Sequence, residues 1–169
     1  STDFEDVAYA DGRAYVADWF TGLRVFDVSD PAHPTPTATV ATGTYPSTVA
    51  VAGARIVVGE STNGGALRVF SRGPGAPALL GAIATGQVAA LAADGDLAFT
   101  AERALDGAAG LRIYDLHDPA AIRRVASFRC DQALGVAVAG ARALLSCVSG
   151  VHVLDVSDPT APRALASWI

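Results

Sequence analysis

The chain contains no methionine and no lysine, one asparagine (Asn63) and two cysteines in 169 residues. Each scarcity excludes something. Without lysine all twelve basic residues are arginines, and seventeen acids outweigh them for a net charge of −5. Binding nucleic acid requires a basic patch that neutralises phosphates, and only Arg123-Arg124 stand side by side, so nucleic acid is not an expected partner. No apolar run approaches the ~20 residues of a membrane helix, because Gly, Pro or a charge interrupts every one. The two cysteines offer no Cys-x-x-Cys zinc spacing. Helical periodicity is also missing, since even the Ala-rich stretch 104–109 is broken by Asp106-Gly107. With no initiating methionine, Ser1 is expected to follow a removed leader or an upstream part of a longer polypeptide.

What remains is apolar and repetitive. Half of the residues are hydrophobic and 17% are charged, which suits one domain with a substantial core rather than a disordered tail. A segment Leu23-Arg24-Val25-Phe26-Asp27-Val28-Ser29-Asp30-Pro31 returns as Leu67-Arg68-Val69-Phe70. It returns again as Leu111-Arg112-Ile113-Tyr114-Asp115-Leu116-His117-Asp118-Pro119 and as Val151-His152-Val153-Leu154-Asp155-Val156-Ser157-Asp158-Pro159. The copies begin 44, 44 and 40 positions apart, a period that signals stacked supersecondary units.

Within a copy, apolar runs of four to six residues are bounded by turn residues, which reads as short strands. Asp11-Gly12 separates the first two runs as a type I′ hairpin would, and Asp94-Gly95 is expected to do the same in the third copy. Ala52-Gly53 and Ala139-Gly140 are weaker versions. Asp27 ends the third strand through an Asx-turn, after which Pro31 removes a ladder donor. Four strands per copy, repeated in tandem, predict an all-β fold: a β-propeller of four-stranded antiparallel blades at about 4–44, 45–86, 87–130 and 131–169, one domain or part of a larger ring. Apolar residues at successive positions, as in Val136-Ala137-Val138, fit blades covered on both faces.

The motif around Ala14-Tyr15-Val16-Ala17-Asp18 and Gly22–Pro31 resembles the LVIVD-repeat β-propellers, as do Ala98–Glu102 with Gly110–Pro119, and Gly150 with Asp155–Pro159. The resemblance implies a secreted or cell-surface bacterial or archaeal protein, extracellular or periplasmic, and carries no catalytic motif. Four blades are few for such rings. The chain is therefore expected to be part of a seven- or eight-bladed ring, to pair with a second copy or another chain, or to close alone.

Candidate site residues follow from the repeat. Asp18, Glu60 and Glu102 occupy the end of the second strand in successive copies, Cys147 holds the fourth place, and Asp131 enters the same face. This face is the expected ligand-binding surface for a protein or small molecule. Asp18, Glu60 and Glu102 are also weak candidates for a divalent cation such as calcium, although calcium loops concentrate their ligands in one short segment. The alternative is local pairing, and Arg24, Arg68 and Arg112 are expected to pair with carboxylates. Folding the hairpin about Ala139-Gly140 sets Cys147 opposite about residue 133, within reach of a disulfide to Cys130; two free buried cysteines are the alternative. His33 and His117 fall on the opposite face from the acids, which disfavours a Ser-His-Asp arrangement. The expected function is a non-catalytic binding or interaction scaffold. The rivals are a metal-dependent hydrolase or lactonase at a central channel and a purely structural surface domain.

Overall fold

The computed structural model describes residues 3–62, 64–103 and 109–169. The Asp106-Gly107 break lies outside them. Among the described residues, sixteen strands form four separate four-stranded antiparallel sheets, each in simple sequential order. Blade 1 holds β1 (Phe4–Ala10), β2 (Arg13–Asp18), β3 (Gly22–Asp27) and β4 (Thr35–Val40). Blade 2 holds β5 (Pro46–Ala52), β6 (Arg55–Glu60), β7 (Ala66–Ser71) and β8 (Leu79–Ala84). Blade 3 holds β9 (Gln87–Asp94), β10 (Leu97–Arg103), β11 (Gly110–Asp115) and β12 (Arg123–Arg129). Blade 4 holds β13 (Ala133–Ala139), β14 (Arg142–Cys147), β15 (Gly150–Asp155) and β16 (Arg163–Trp168). The one helical element among the described residues is a 3-10 turn at Pro119–Ala121.

The repeat glycine has a steric cause. Gly22, Gly110 and Gly150 open the third strand of their blades at φ of 105°, 145° and 147°. A Cβ there would stand 2.3, 2.1 and 1.8 Å from the carbonyl oxygens of Val40, Phe128 and Trp168 on the adjacent fourth strand. Only glycine lets the two strands close at that point. The other end of the third strand is closed twice over. Asp27, Asp115 and Asp155 each accept the backbone N–H two residues on, at 2.9, 2.9 and 3.0 Å. Asp30, Asp118 and Asp158 repeat the device across the following turn. Hydrogen bonds to the ionised form draw the carboxyls of Asp27, Asp115 and Asp155 below the ordinary aspartate value.

The first hairpins depart from one expectation. Asp11 and Gly12 both take positive φ, 48° and 73°, as a type I′ turn requires. In blade 3, however, Asp94 is the last strand residue and pairs with Leu97, so the two-residue turn is Gly95-Asp96. Only Gly95 is at positive φ, which is the II′ pattern, and Gly53 and Gly140 lead their turns likewise. Where glycine stands one place earlier than in Asp11-Gly12, it takes the first central position because no other residue adopts that conformation cheaply.

The blades stack side by side through their first strands, β1 on β5, β5 on β9 and β9 on β13. Each interface is an apolar core. Tyr15, Leu23 and Val25 of blade 1 meet Val49, Ile56 and Phe70 of blade 2. Val57, Leu67 and Val69 of blade 2 meet Ala98, Tyr114 and Leu116 of blade 3. Phe99, Leu111 and Ile113 of blade 3 meet Ala143, Leu145 and Leu154 of blade 4. A fully buried side chain of this size contributes about 1.5–3 kcal/mol, so the three interfaces dominate cohesion. Among the described residues, no comparable packing joins blade 4 back to blade 1. The fold is a propeller-like arc of four blades that is not closed, and β16 is exposed along its whole length.

A disulfide joins Cys130, in the link between blades 3 and 4, to Cys147 at the end of β14. Ala133 pairs with Cys147 in the β13–β14 ladder, which brings the link alongside. The bridge closes a loop of sequence separation 17, worth about 3 kcal/mol on a chain-entropy argument. Replacing both cysteines by serine is expected to lower urea-unfolding stability by about 2–4 kcal/mol; a variant with the wild-type midpoint would show that the bridge contributes nothing.

Candidate functional site

In every blade the second strand ends at one edge of the arc, and the repeat places a polar or sulfur residue there. Asp18, Glu60, Glu102 and Cys147 are structurally equivalent, the first, third and fourth each paired with the glycine that opens its blade's third strand. All three acids are buried. Such carboxylates require partners, because desolvating an unpaired charge is costly.

The side-chain partners come from the acid's own blade. Arg68 donates through Nε to Glu60 Oε1 at 2.7 Å. Arg24 Nη1 lies 3.6 Å from Asp18 Oδ2, an ion pair without a hydrogen bond. Asp18 Oδ1 also accepts the backbone N–H groups of Phe20 and Thr21 at 3.1 and 3.3 Å. Burial pushes the Asp18 carboxyl up, but these donors outweigh it and the net displacement is downward. Glu102 accepts the hydroxyls of Thr100 and Tyr114, both at 2.7 Å, and the Gly86 N–H at 2.9 Å. Burial first, and then the adjacent Glu102 carboxylate, hold the Tyr114 phenol well above its ordinary range. Arg112 is buried and donates to the Leu111 carbonyl. His152, in the fourth blade, meets the Ser167 hydroxyl at 2.8 Å and the Phe128 ring edge-on.

These acids are thus the internal braces of the blades rather than a convergent cluster. Among the described residues, the one group of three possible metal ligands is Cys130, Asp131 and Cys147, and its two sulfurs are joined in the disulfide. Asp131 itself is exposed and accepts the Ser149 hydroxyl at 3.1 Å. His33 and His117 are exposed and pair with Asp30 and Asp96 in the turns.

Above Asp18 and Glu60 lies a cleft of about 370 Å³, lined by residues 19–22 of the β2–β3 turn and 41–45 of the link to blade 2. The Trp19 and Tyr45 rings stack at 4.9 Å with 20° between their planes and form one wall. Phe20 projects into solvent beside them. Both halves of the cleft rest on the braces. Asp18 fixes the backbone at Phe20 and Thr21, while Gly43, at φ 94°, sits so close over Arg68 that a Cβ would come within 3.3 Å of its Nη2. Thr42 is buried and donates its hydroxyl to the Thr44 carbonyl at 3.0 Å. Sequence reasoning located the acids and missed this aromatic pair. Its one signal was Trp19 directly after the acidic position, with Tyr45 in the equivalent link.

Comparison with known proteins agrees with the architecture. The family model of the LVIVD repeat matches residues 3–42 and 132–167, the first and last blades. No curated protein matches the chain. Among solved structures, a functionally unknown protein from Desulfotomaculum acetoxidans superposes with a TM-score of 0.82 at 13% identity, over 98% of this chain and 56% of its own. The computationally designed Ika8 protein gives 0.68 at 12%, over 92% and 46%. The designed Ika4 protein gives 0.67 at 13%, over 91% of both chains. At these identities the likeness is one of fold, and the chain spans about half the length of the first two.

Arg68→Ala leaves Glu60 buried opposite nothing, and is expected to destabilise the chain by about 3 kcal/mol. Adding Glu60→Gln should restore most of that in urea unfolding. Equal losses in the single and double variants would show that the pair does not brace the blade.

Proposed function

For a chain that carries LVIVD repeats, we propose a non-catalytic scaffold role in which the blades hold a ligand-binding cleft at Trp19, Phe20 and Tyr45. The observation that carries this reading is the half-open aromatic wall held over buried braces. An aromatic surface on a rigid support offers a large contact area at low ordering entropy. Loops on a packed scaffold are where such folds acquire function. The ligand is a protein segment or a small molecule with an apolar face. The acids that the repeat places at this edge act by positioning the cleft, and Asp131 is an accessible carboxylate of the same edge. The disulfide supports an extracytoplasmic location, secreted or at the cell surface, since such bonds persist in oxidising compartments.

A screen of soluble peptides and glycans by fluorescence and calorimetry tests this. Binders are expected to lose affinity about tenfold or more with Trp19→Ala while the thermal midpoint stays near wild type. Binders indifferent to both Trp19→Ala and Tyr45→Ala would overturn the cleft as the site. The metal-dependent hydrolase remains the reading from another class, favoured by Asp18 Oδ2 and Glu60 Oε2, which are buried without a hydrogen-bond donor. Stoichiometric divalent metal in the purified protein, together with hydrolysis abolished by chelation, would establish it instead.

A further inference from the structure

Each blade has two faces, and the strand registers show which residues share each. On the face toward the following blade, Phe99 and Ile113 of blade 3 lie in one cross-strand row, and Leu144 and Val153 of blade 4 occupy the same positions. Phe99 and Ile113 are buried against blade 4, whereas Leu144 is 46% exposed and Trp168, at the edge of the same face, is 65% exposed. On the opposite face, Val49, Val51 and Phe70 of blade 2 correspond to Val7, Tyr9 and Phe26 of blade 1. Blade 2 hides these residues against blade 1, but Val7 and Tyr9 are 61% and 69% exposed. The outer faces of blades 1 and 4 therefore present the two halves of the recurring interface.

A polar contact at the first two interfaces, whose place in blade 3 is taken by Leu97, says what fits there. Arg13 begins the second strand of blade 1 and donates to the Gly73 and Pro74 carbonyls of blade 2 at 2.6 and 2.9 Å. Arg55 begins the second strand of blade 2 and donates to the His117 carbonyl of blade 3 at 3.1 Å, while pairing with Asp96. Gly73 and His117 both lie two residues beyond the end of their blade's third strand. Arg142 holds the same place in blade 4, half exposed, turned to its own Ala141 carbonyl and Asp155. In blade 1 the equivalent acceptor is Ser29, also exposed.

We propose that two copies of this chain close head to tail into an eight-bladed ring. Blade 4 of each copy covers blade 1 of the other, and Arg142 of each meets the Ser29 carbonyl of the other. The chain itself carries both complementary surfaces, and a head-to-tail contact repeated twice closes as a two-fold ring. Eight blades fall within the range that closes. Any further partner would have to reproduce the same repeat face.

Light scattering of the purified 169-residue chain at about 10 μM tests the proposal. The expected mass is twice the single-chain 17.1 kDa. Val7→Asp and Leu144→Asp alter opposite ends of the arc at exposed positions, and each is expected to give the single-chain mass with an unchanged far-UV spectrum. Arg142→Ala should raise the dissociation constant about tenfold or more, as loss of a charged hydrogen bond at each of two interfaces implies. A single-chain mass for the unaltered protein, a ladder of open oligomers, or a dimer indifferent to both end-face variants would overturn it.

Discussion

The covering of one sheet by the next is the constraint on which the rest of this structure depends. A single four-stranded sheet of this composition has two apolar faces and little means of hiding either, so it is not a stable body by itself. Stacking blade on blade hides both faces of the middle pair. That is why no residue of β5 is exposed while its equivalent β1 is largely exposed, and why β10 is buried on both faces where β14 is buried on one. The apolar residues at successive positions along one strand, which would be misplaced in a one-sided sheet, serve two neighbours at once.

Polar groups set the register of this stack. At one edge Arg13 and Arg55, which open the second strands of blades 1 and 2, reach the turns of the next blade. At the other edge, Asp6 of blade 1 accepts from the Thr48 hydroxyl and the Val49 N–H of blade 2 at 2.8 and 2.9 Å. In blades 1 to 3 the acid near the end of the second strand is tied to its own blade or to the link beside it, so that its charge is buried with hydrogen bonds or an ion pair around it. The aromatic cleft stands on two of these acids. Structure and candidate site are thus coupled: the braces that complete a blade also shape the loops above it.

Much of this was legible in the sequence because it is local or periodic. The four-strand repeat, the glycine opening the third strand and the Asx-turn at Asp27 are written within a few residues of one another. The disulfide could be reached because the β13–β14 hairpin sets Cys147 opposite Ala133. What escaped depends on the neighbour rather than the residue. Local pairing of these acids was one of the readings the sequence offered, but which arginine meets Asp18 and Glu60, and that both acids are buried, follow only from the folded blades. Trp19 and Tyr45 are 26 positions apart and meet only when one blade is set on the next. The Asp94-Gly95 hairpin was misplaced by one residue, because glycine's preference for the first central position outweighed the analogy with Asp11-Gly12.

If neighbour coverage governs stability, one repeat position should behave differently in different blades. Phe99 and Leu144 are structural equivalents, 2% and 46% exposed. Urea unfolding of Phe99→Ala and Leu144→Ala, at a dilution where the chain is single, measures the difference directly. The account predicts a loss of about 3–5 kcal/mol for Phe99→Ala and under about 1 kcal/mol for Leu144→Ala. Comparable losses at the two positions would contradict it.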